Sequence, residues 1–369
     1  MGKFPAITDG PSRADETRER PASETVEIEE LAADRHAEWD AYVGAAPGAT
    51  FFHRAGWMRA VRDIYGHRPR YFVAREPGSG KVRGVLPLFS VSGPLTGRAL
   101  VSIPYAVSGG AAADDAGIEA QMVGRARQEA DRLGSPYLEL RKDSPGEGLA
   151  KREYYFGFQT TLPSEPEAVL GRYPRKARAE IRKARDQHGL TARFGPDLLA
   201  PFYDLYVRSL RRLGSPGHSR RYFLRLIEEF GEDCLVEVVS QGDTPVAGVV
   251  SFRFRDQILP YYAGIDDRYN RLNTSNYLYF ALMEHAVGLG LRVFDFGRTR
   301  RDNTGGCQFK INQGFEPEPL RYSYYSPRGV EPPDLRPSNA AFSRSRALWR
   351  RLPVRVAGPL GGLVSRWLP

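Results

Sequence analysis

DIYGHRPRYFVAREPGSGKVRGVLPLF, residues 63–89, and EEFGEDCLVEVVSQGDTPVAGVVSFRF, residues 228–254, match in kind rather than in identity. Each predicts a helix stopped by a glycine (Gly66, Gly231) and then a strand, over 71–75 in one and 235–239 in the other. A glycine-containing turn follows, and a second strand opens at Gly84 or Gly248. The glycine-to-glycine spacings are 18 and 17 residues. Downstream, AQMVGRARQEADRLGSPYLELR (120–141) answers ALMEHAVGLGLRVFDFGR (281–298), each an amphipathic helix, a glycine stop and a buried-looking strand closed by arginine. Both halves read helix, hairpin, helix, strand, so the chain is a duplication. An antiparallel hairpin followed by a helix that feeds another strand describes a mixed α/β layer, an α+β mixed sheet, rather than a doubly wound parallel one. The expected organisation is a disordered extension over 1–24, a first domain over 25–160, a second over 161–326, and a Pro-rich linker with a basic amphipathic tail over 327–369.

Composition limits what such a protein can be. Its 369 residues are enough for two domains with cores, and 41% hydrophobic with 26% charged residues exclude wholesale disorder and a membrane bundle. No apolar run approaches the roughly 20 residues of a spanning helix, and no secretory pattern is read at the N-terminus, so a cytoplasmic location is expected. Cys234 and Cys307 are the only cysteines, too few for a disulfide framework or a multi-cysteine zinc site. The six histidines form no HxxxH or HExxH pattern, so no metal is expected. The net charge of +9 is uneven: residues 1–40 hold 5 basic against 11 acidic side chains, whereas 336–369 hold 7 arginines and no acid. A basic body with an all-arginine tail points to anionic partners.

Serine hydrolase and P-loop chemistry find no motif, since GxSxG and GxxxxGK[ST] are both absent. Gly78-Ser79-Gly80 lies between two strands and reads as a hairpin turn, and His53 reads as part of a packed helix start. The densest cluster of unusual residues runs from Pro260 to Lys310. There a strand ending in Tyr261-Tyr262 meets a polar loop and a helix start near Asn273 to Asn276. That start either binds an anion or oxyanion through free N–H groups or is simply capped by Asn273, Thr274 or Ser275. In FDFGRTR, Asp295 faces away from Phe294 and Phe296, and a carboxylate on an apolar strand needs a partner. Arg298 or Arg300 supplies one, or the carboxylate orients or deprotonates an amine. Lys310, beyond a flexible Thr304-Gly305-Gly306 loop, is either a solvated lysine or a cation for a tetrahedral oxyanion or a phosphate. The loop IPYAVSGG (103–110), with Tyr105, looks exposed and sits where the second half has YYAGIDD. Two basic stretches, 172–185 with Arg175 and Lys176 and 208–225 with Arg211, offer phosphate contacts. The tail interleaves Leu348, Trp349, Leu360, Leu363 and Trp367 with arginine, as either an interfacial segment on an anionic membrane or a helix packed on the body.

Several strings occurring in order, FFHRAGW, GVLPL, LELR, PRKARAEIRKA, LGSPGHSRRYF, LPYYAG, FDFGR, FK followed by GFEPEPL, and WRRLP, resemble the FemAB family associated with exosortase/PEP-CTERM exopolysaccharide systems. The resemblance spans about Phe51 to Tyr325 and extends to the Fem peptidyltransferases. It implies tandem duplicated GNAT-like acyltransferase domains that transfer an acyl or aminoacyl group to an amine of a cell-envelope, peptidoglycan-like or exopolysaccharide precursor. Direct amine attack, with no covalent enzyme intermediate and no tightly bound cofactor, is the implied route. The family's FK lysine corresponds to Lys310 and its strand tyrosine to Tyr261 or Tyr262. With Asp295 as a second catalytic candidate, the expected substrate-binding residues are Tyr261, Tyr262, Asn276, Arg298, Arg175, Lys176, Arg211 and Tyr105. In the second half the [QR]xxGx[GA] loop of ordinary acetyl-CoA enzymes is absent, and the chain has no long heptad arm, so the co-substrate is left between acyl-CoA and aminoacyl-tRNA. Expected partners are an anionic small-molecule or lipid-linked precursor, charged tRNA, and a peripheral contact with the cytoplasmic membrane face. The other readings are a non-catalytic exopolysaccharide assembly factor held by the tail, and an RNA-binding module on the same scaffold.

Overall fold

The computed structural model describes residues 25–94, 97–329, 332–333, 339 and 342–368. The extension expected over 1–24 lies outside them. Chain order in the first half is β1 (Glu27–Glu30), α1 (His36–Ala45), α2 (Ala55–Tyr65), β2 (Arg68–Arg75), β3 (Val82–Gly93), β4 (Gly97–Val101), β5 (Ala112–Ala113), α3 (Ala116–Arg132), β6 (Leu138–Leu140) and β7 (Ala150–Thr161). The second half runs α4 (Val169–Arg172), α5 (Arg175–Arg182), β8 (Leu190–Phe194), α6 (Leu199–Leu213), α7 (Arg220–Phe230), β9 (Cys234–Gln241), β10 (Thr244–Phe254), β11 (Gln257–Ile265), α8 (Thr274–Gly288), β12 (Val293–Arg300), α9 (Thr304–Asn312) and β13 (Glu318–Tyr325). Two tail helices follow, α10 (Ser343–Arg351) and α11 (Val354–Ser365).

The local rules that predicted these elements hold in detail. Trp57, Met58, Val61 and Tyr65 recur on one buried face of α2, and Gly66 ends the helix at φ 70°, a left-handed position that a side chain would strain. The Gly78–Gly80 segment turns β2 into β3. Strands β9, β10 and β11 form an antiparallel meander, β2 and β3 a matching hairpin.

One mixed sheet carries both halves, in the order β1-β2-β3-β4-β6-β13-β7-β12-β11-β10-β9-β8, with β5 off the path on β3. The order is symmetric about the β13–β7 pair, and the symmetry reveals an exchange. Strand β7 follows β6 in the chain yet hydrogen bonds to β12, while β13 follows β12 and bonds to β6. The two exchanged strands pair antiparallel with each other at the centre.

The outer face of the first half is covered by α3 and that of the second by α8 with α4 and α5 beside it, and each half buries its own apolar layer there. The opposite face of the sheet is shared. A single core runs from Trp39, Phe51 and Trp57 of the first half to Phe202, Phe230 and Phe252 of the second, with Phe51 stacked on Phe252 at 4.4 Å. The equivalent helices α2 and α7 meet there. Gly56 admits the Phe230 ring, which a Cβ would approach to 2.8 Å, and Arg59 forks onto Glu229 at 2.5 to 3.0 Å. Burial on this scale makes the pair one folding unit.

Candidate active site

Parallel neighbours β11 and β12 stay paired only at Gln257–Val293 and Ile258–Phe294, and then part. Beyond that point each strand carries a bulge. On β11 the register against β10 jumps from Tyr262 to Pro260, so Tyr261 is the extra residue and alternation breaks. Tyr261 and Tyr262 therefore both face the shared core, in mid-strand rather than at the strand end where the sequence reading put them. On β12 the register against β7 slips between Asp295 and Arg298, and Gly297 takes φ 65°. A glycine is required at that bulge because the left-handed backbone disfavours a Cβ.

The β12 bulge turns two carbonyls out of the ladder, and Lys310 takes both. Its Nζ donates to Phe296 O at 2.6 Å and more weakly to Gly297 O at 3.5 Å, between the rings of Phe158 and Phe296 at 4.9 and 4.8 Å. The lysine does not follow a flexible loop. Thr304-Gly305-Gly306 is the first turn of α9, capped by Asn303, whose side chain accepts from Gly306 N–H at 3.1 Å. Burial to 9% exposure pulls the ammonium down to about 8, with the Asp295 charge opposing the shift. Asp295 lacks the partner expected of Arg298 or Arg300, because Arg298 turns to Tyr322 and Arg300 to Asp302. Its Oδ1 accepts instead from the bulge N–H of Gly297 at 2.8 Å. Burial raises its carboxyl, and that hydrogen bond and the Lys310 charge draw it partly back.

The first half supplies the cover. Residues 102–110 are not the exposed loop their sequence suggested; Ile103, Tyr105 and Ala106 are buried. The loop's carbonyls are pinned by side chains that converge from both halves. Tyr261 OH donates to Tyr105 O at 2.5 Å, Arg141 to Ala106 O at 2.8 Å and Ile103 O at 3.2 Å, and Tyr322 OH to Val107 O. Ile103 at φ 49° and Tyr105 at φ 64° hold left-handed conformations that non-glycine residues rarely adopt. Such strain gathers at functional sites. Arg298 lies beneath, donating to Tyr322 OH at 2.6 Å with its guanidinium 4.4 Å from the Tyr155 ring. No carboxylate pairs with it among the described residues.

Lys310, Asp295, Arg298, Tyr261 and the Tyr105 backbone thus share one neighbourhood. The other candidates lie elsewhere. Tyr262 OH meets Tyr222 OH at 3.1 Å in the core. The Tyr105 hydroxyl is held by His67 at 2.8 Å and Ser365 O at 3.2 Å. Asn276 is a cross-link, donating to Glu180 at 2.6 Å and accepting from Gln313 at 3.2 Å. Arg175 and Lys176 are exposed on α5, and Arg211 donates to Leu352 O at the end of α10. His53 is buried between Thr50 and Gly110 O and pushed down to about 4 by burial, a neutral structural imidazole.

The two equivalent helix starts differ. In α3 the Asp115 side chain accepts from Ile118 N–H at 2.9 Å, so a carboxylate fills the N-terminus. In α8 none of the capping expected of Asn273, Thr274 or Ser275 occurs. Asn273 sits at φ 58° with no side-chain bond to the helix, and the buried Thr274 hydroxyl has no partner. No side-chain cap from Asn273 closes the first turn of α8.

Sequence reading missed Arg141, Tyr322 and Tyr155. Arg141 had a signal, since LELR and FDFGR close equivalent strands. The tyrosines had none, because strand exchange brings them in.

Comparison with known proteins bears on the fold. Residues 171–310 match the family model described as an acetyltransferase (GNAT) domain. No curated protein matches the sequence. Among solved structures, FemX is similar at a TM-score of 0.63 and 14% identity, covering 80% of this chain and 96% of its own. The C-terminal domain of a lysylphosphatidylglycerol synthetase from Agrobacterium fabrum, described as putative, is similar at 0.54 and 13%, covering 80% and 93%. A tandem GNAT protein from the clavulanic acid biosynthesis pathway is similar at 0.50 and 13%, covering 83% and 100%. The architecture is a mixed α/β sheet built from two GNAT-like domains in tandem.

Proposed function

We propose that the chain is an N-acyltransferase whose chemistry sits in the second half, in the opening between β11 and β12. The observation that carries the reading is Lys310: an ammonium lowered to about 8 by burial and aimed at the bulge carbonyls of the parted strand. An acceptor amine attacks the donor's acyl carbonyl, the new C–N bond forms, and the carbonyl oxygen becomes an oxyanion beside Lys310. The free Oδ2 of Asp295 takes the amine proton. Collapse breaks the bond to the leaving thiolate or alkoxide, which receives that proton.

The donor's phosphate belongs at the uncapped start of α8, since the start of α3 is closed by Asp115. Both acyl-CoA and aminoacyl-tRNA fit that requirement. The exposed cations of α5, including Arg175 and Lys176, would meet an anionic acceptor, and an amine on a cell-envelope or exopolysaccharide precursor is the class favoured by the FemAB-like motifs. In this reading the segments 25–160 and 161–326 divide the labour, the first as cover and the second as catalyst. The test incubates purified protein with acyl-CoAs, charged tRNA, and nucleotide- or lipid-linked amino sugars, and reads thermal shift and acceptor mass. Mass gain on an acceptor that is lost in Lys310→Met and reduced in Asp295→Asn supports the assignment. Unimpaired transfer in both variants removes it.

A further inference from the structure

The C-terminal helices are packed on the body and yet incomplete as a surface. Helix α11 lies on α6 through small residues. Gly358 faces Tyr203 and Val207, Gly361 approaches the backbone of Gly217, and Ser365 Oγ donates to Gly217 O at 3.0 Å. Its opposite face carries Val356, Leu360 and Leu363, and the turn that follows it carries Trp367, at spacings of 4, 3 and 4 residues that set them along one stripe. All four are exposed, Leu363 to 62%, and Leu348 on α10 is exposed to 66%. Beside the stripe, Trp349, Val364, Trp367 and Leu368 line an apolar groove of about 260 Å³. Arg344, Arg350, Arg351, Arg355 and Arg366, on or next to the same two helices, are exposed and form no ion pair with any described residue. No acid occurs over 336–369.

The charge selects the occupant. A second copy of this face would set arginine against arginine, and a polynucleotide offers nothing to Val356, Leu360 and Leu363. A planar surface that is both anionic and apolar beneath satisfies both parts of the pattern. We infer that α10 and α11 dock the protein peripherally on an anionic lipid bilayer, with the Val356–Leu360–Leu363–Trp367 stripe at the acyl boundary and the arginines at the headgroups. The stripe is too short to span, and among the described residues no helix is long and apolar enough to cross a membrane. The inference stands apart from acyl transfer: a bilayer-docked protein without activity, or an active protein in solution, separates the two.

The test is flotation of the full chain with vesicles of phosphatidylcholine alone or with about a third phosphatidylglycerol, at low and high salt. The expected result is flotation with the anionic vesicles only, weakened by salt. Leu363→Asp with Trp367→Ser should lower the partition coefficient about tenfold or more. Arg350→Gln with Arg351→Gln and Arg355→Gln should remove the preference for anionic lipid. These side chains are exposed, so the thermal midpoint should not move, and a spectrum of the folded variant checks it. Protein that stays with the buffer for both vesicles overturns the inference. So does flotation unchanged by the stripe substitutions, or a stripe that proves instead to mediate self-association or RNA binding.

Discussion

Replacing Lys310 by methionine should change how stability responds to pH, by an amount set by the burial of one ammonium. Below pH 7 the lysine is charged in the folded and unfolded chains alike, and the folded state bears the whole cost of desolvating it. As pH rises through about 8 the folded lysine releases its proton, while the unfolded one keeps it to 10.5. Between those values the unfolded state binds more protons, so the unfolding free energy rises by about 1.4 kcal/mol per pH unit. Over the interval from about 8 to 10.5 the gain is about 3 kcal/mol. Methionine fills much the same volume and carries no proton. Urea unfolding of both proteins from pH 7 to 10.5, followed by circular dichroism, isolates the effect, because other titrations cancel in the difference. The wild-type curve should climb relative to Lys310→Met across that window. A difference that stays flat to within about 0.5 kcal/mol would show an ordinary solvated lysine and refute the site geometry.

If the ammonium stabilises the oxyanion, single-turnover transfer should fall as pH rises through about 8. The acid limb should lie above the usual carboxylate range because burial raises Asp295, and Asp295→Asn should abolish that limb with a loss of about 10²-fold or more. Glu237 is wholly buried with both carboxylate oxygens unpartnered, and burial holds its carboxyl well above 4.5. Above that unfolded-state value wild-type stability should therefore decline relative to Glu237→Gln by about 1.4 kcal/mol per pH unit, until the folded carboxyl ionises; parallel unfolding curves would exclude it. Gly264→Ala would drive a Cβ onto the backbone of α6, 2.6 Å from Leu205 C, and should cost about 3 kcal/mol in urea unfolding. A loss under about 1 kcal/mol would mean that α6 does not lie where it is described.

Local signals carried most of the architecture. The glycine stops, the hairpins and the amphipathic helices recur at Gly66 and Gly231, in β2–β3 and β9–β10, because each depends on residues a few positions apart. The site was legible where the chemistry was local, as at Asp295 and Lys310, and was misread where geometry came from a bulge. No alternation rule anticipates that Tyr261 and Tyr262 face the same layer, or that Asp295 is answered by its own strand's N–H two residues on. Loop 102–110 looked exposed because its apolar residues lack period. Its burial depends on Arg141, Tyr261 and Tyr322, which reach it from three separate strands. Arg211 was grouped with phosphate contacts on charge alone, and it serves the C-terminus of α10 instead.

The exchange of β7 and β13 also sets a timetable for synthesis. Leu140 cannot meet its partner Ser323 until the ribosome has added roughly 180 more residues, a wait of order 10 to 40 s at common elongation rates. Throughout that interval the β6 edge of the nascent first half stands open, a template for any stray strand. A chain interrupted between residues 313 and 318 should leave both halves with an unmade seam and fall to chaperones or proteases, even though Asp295, Arg298 and Lys310 have already been made.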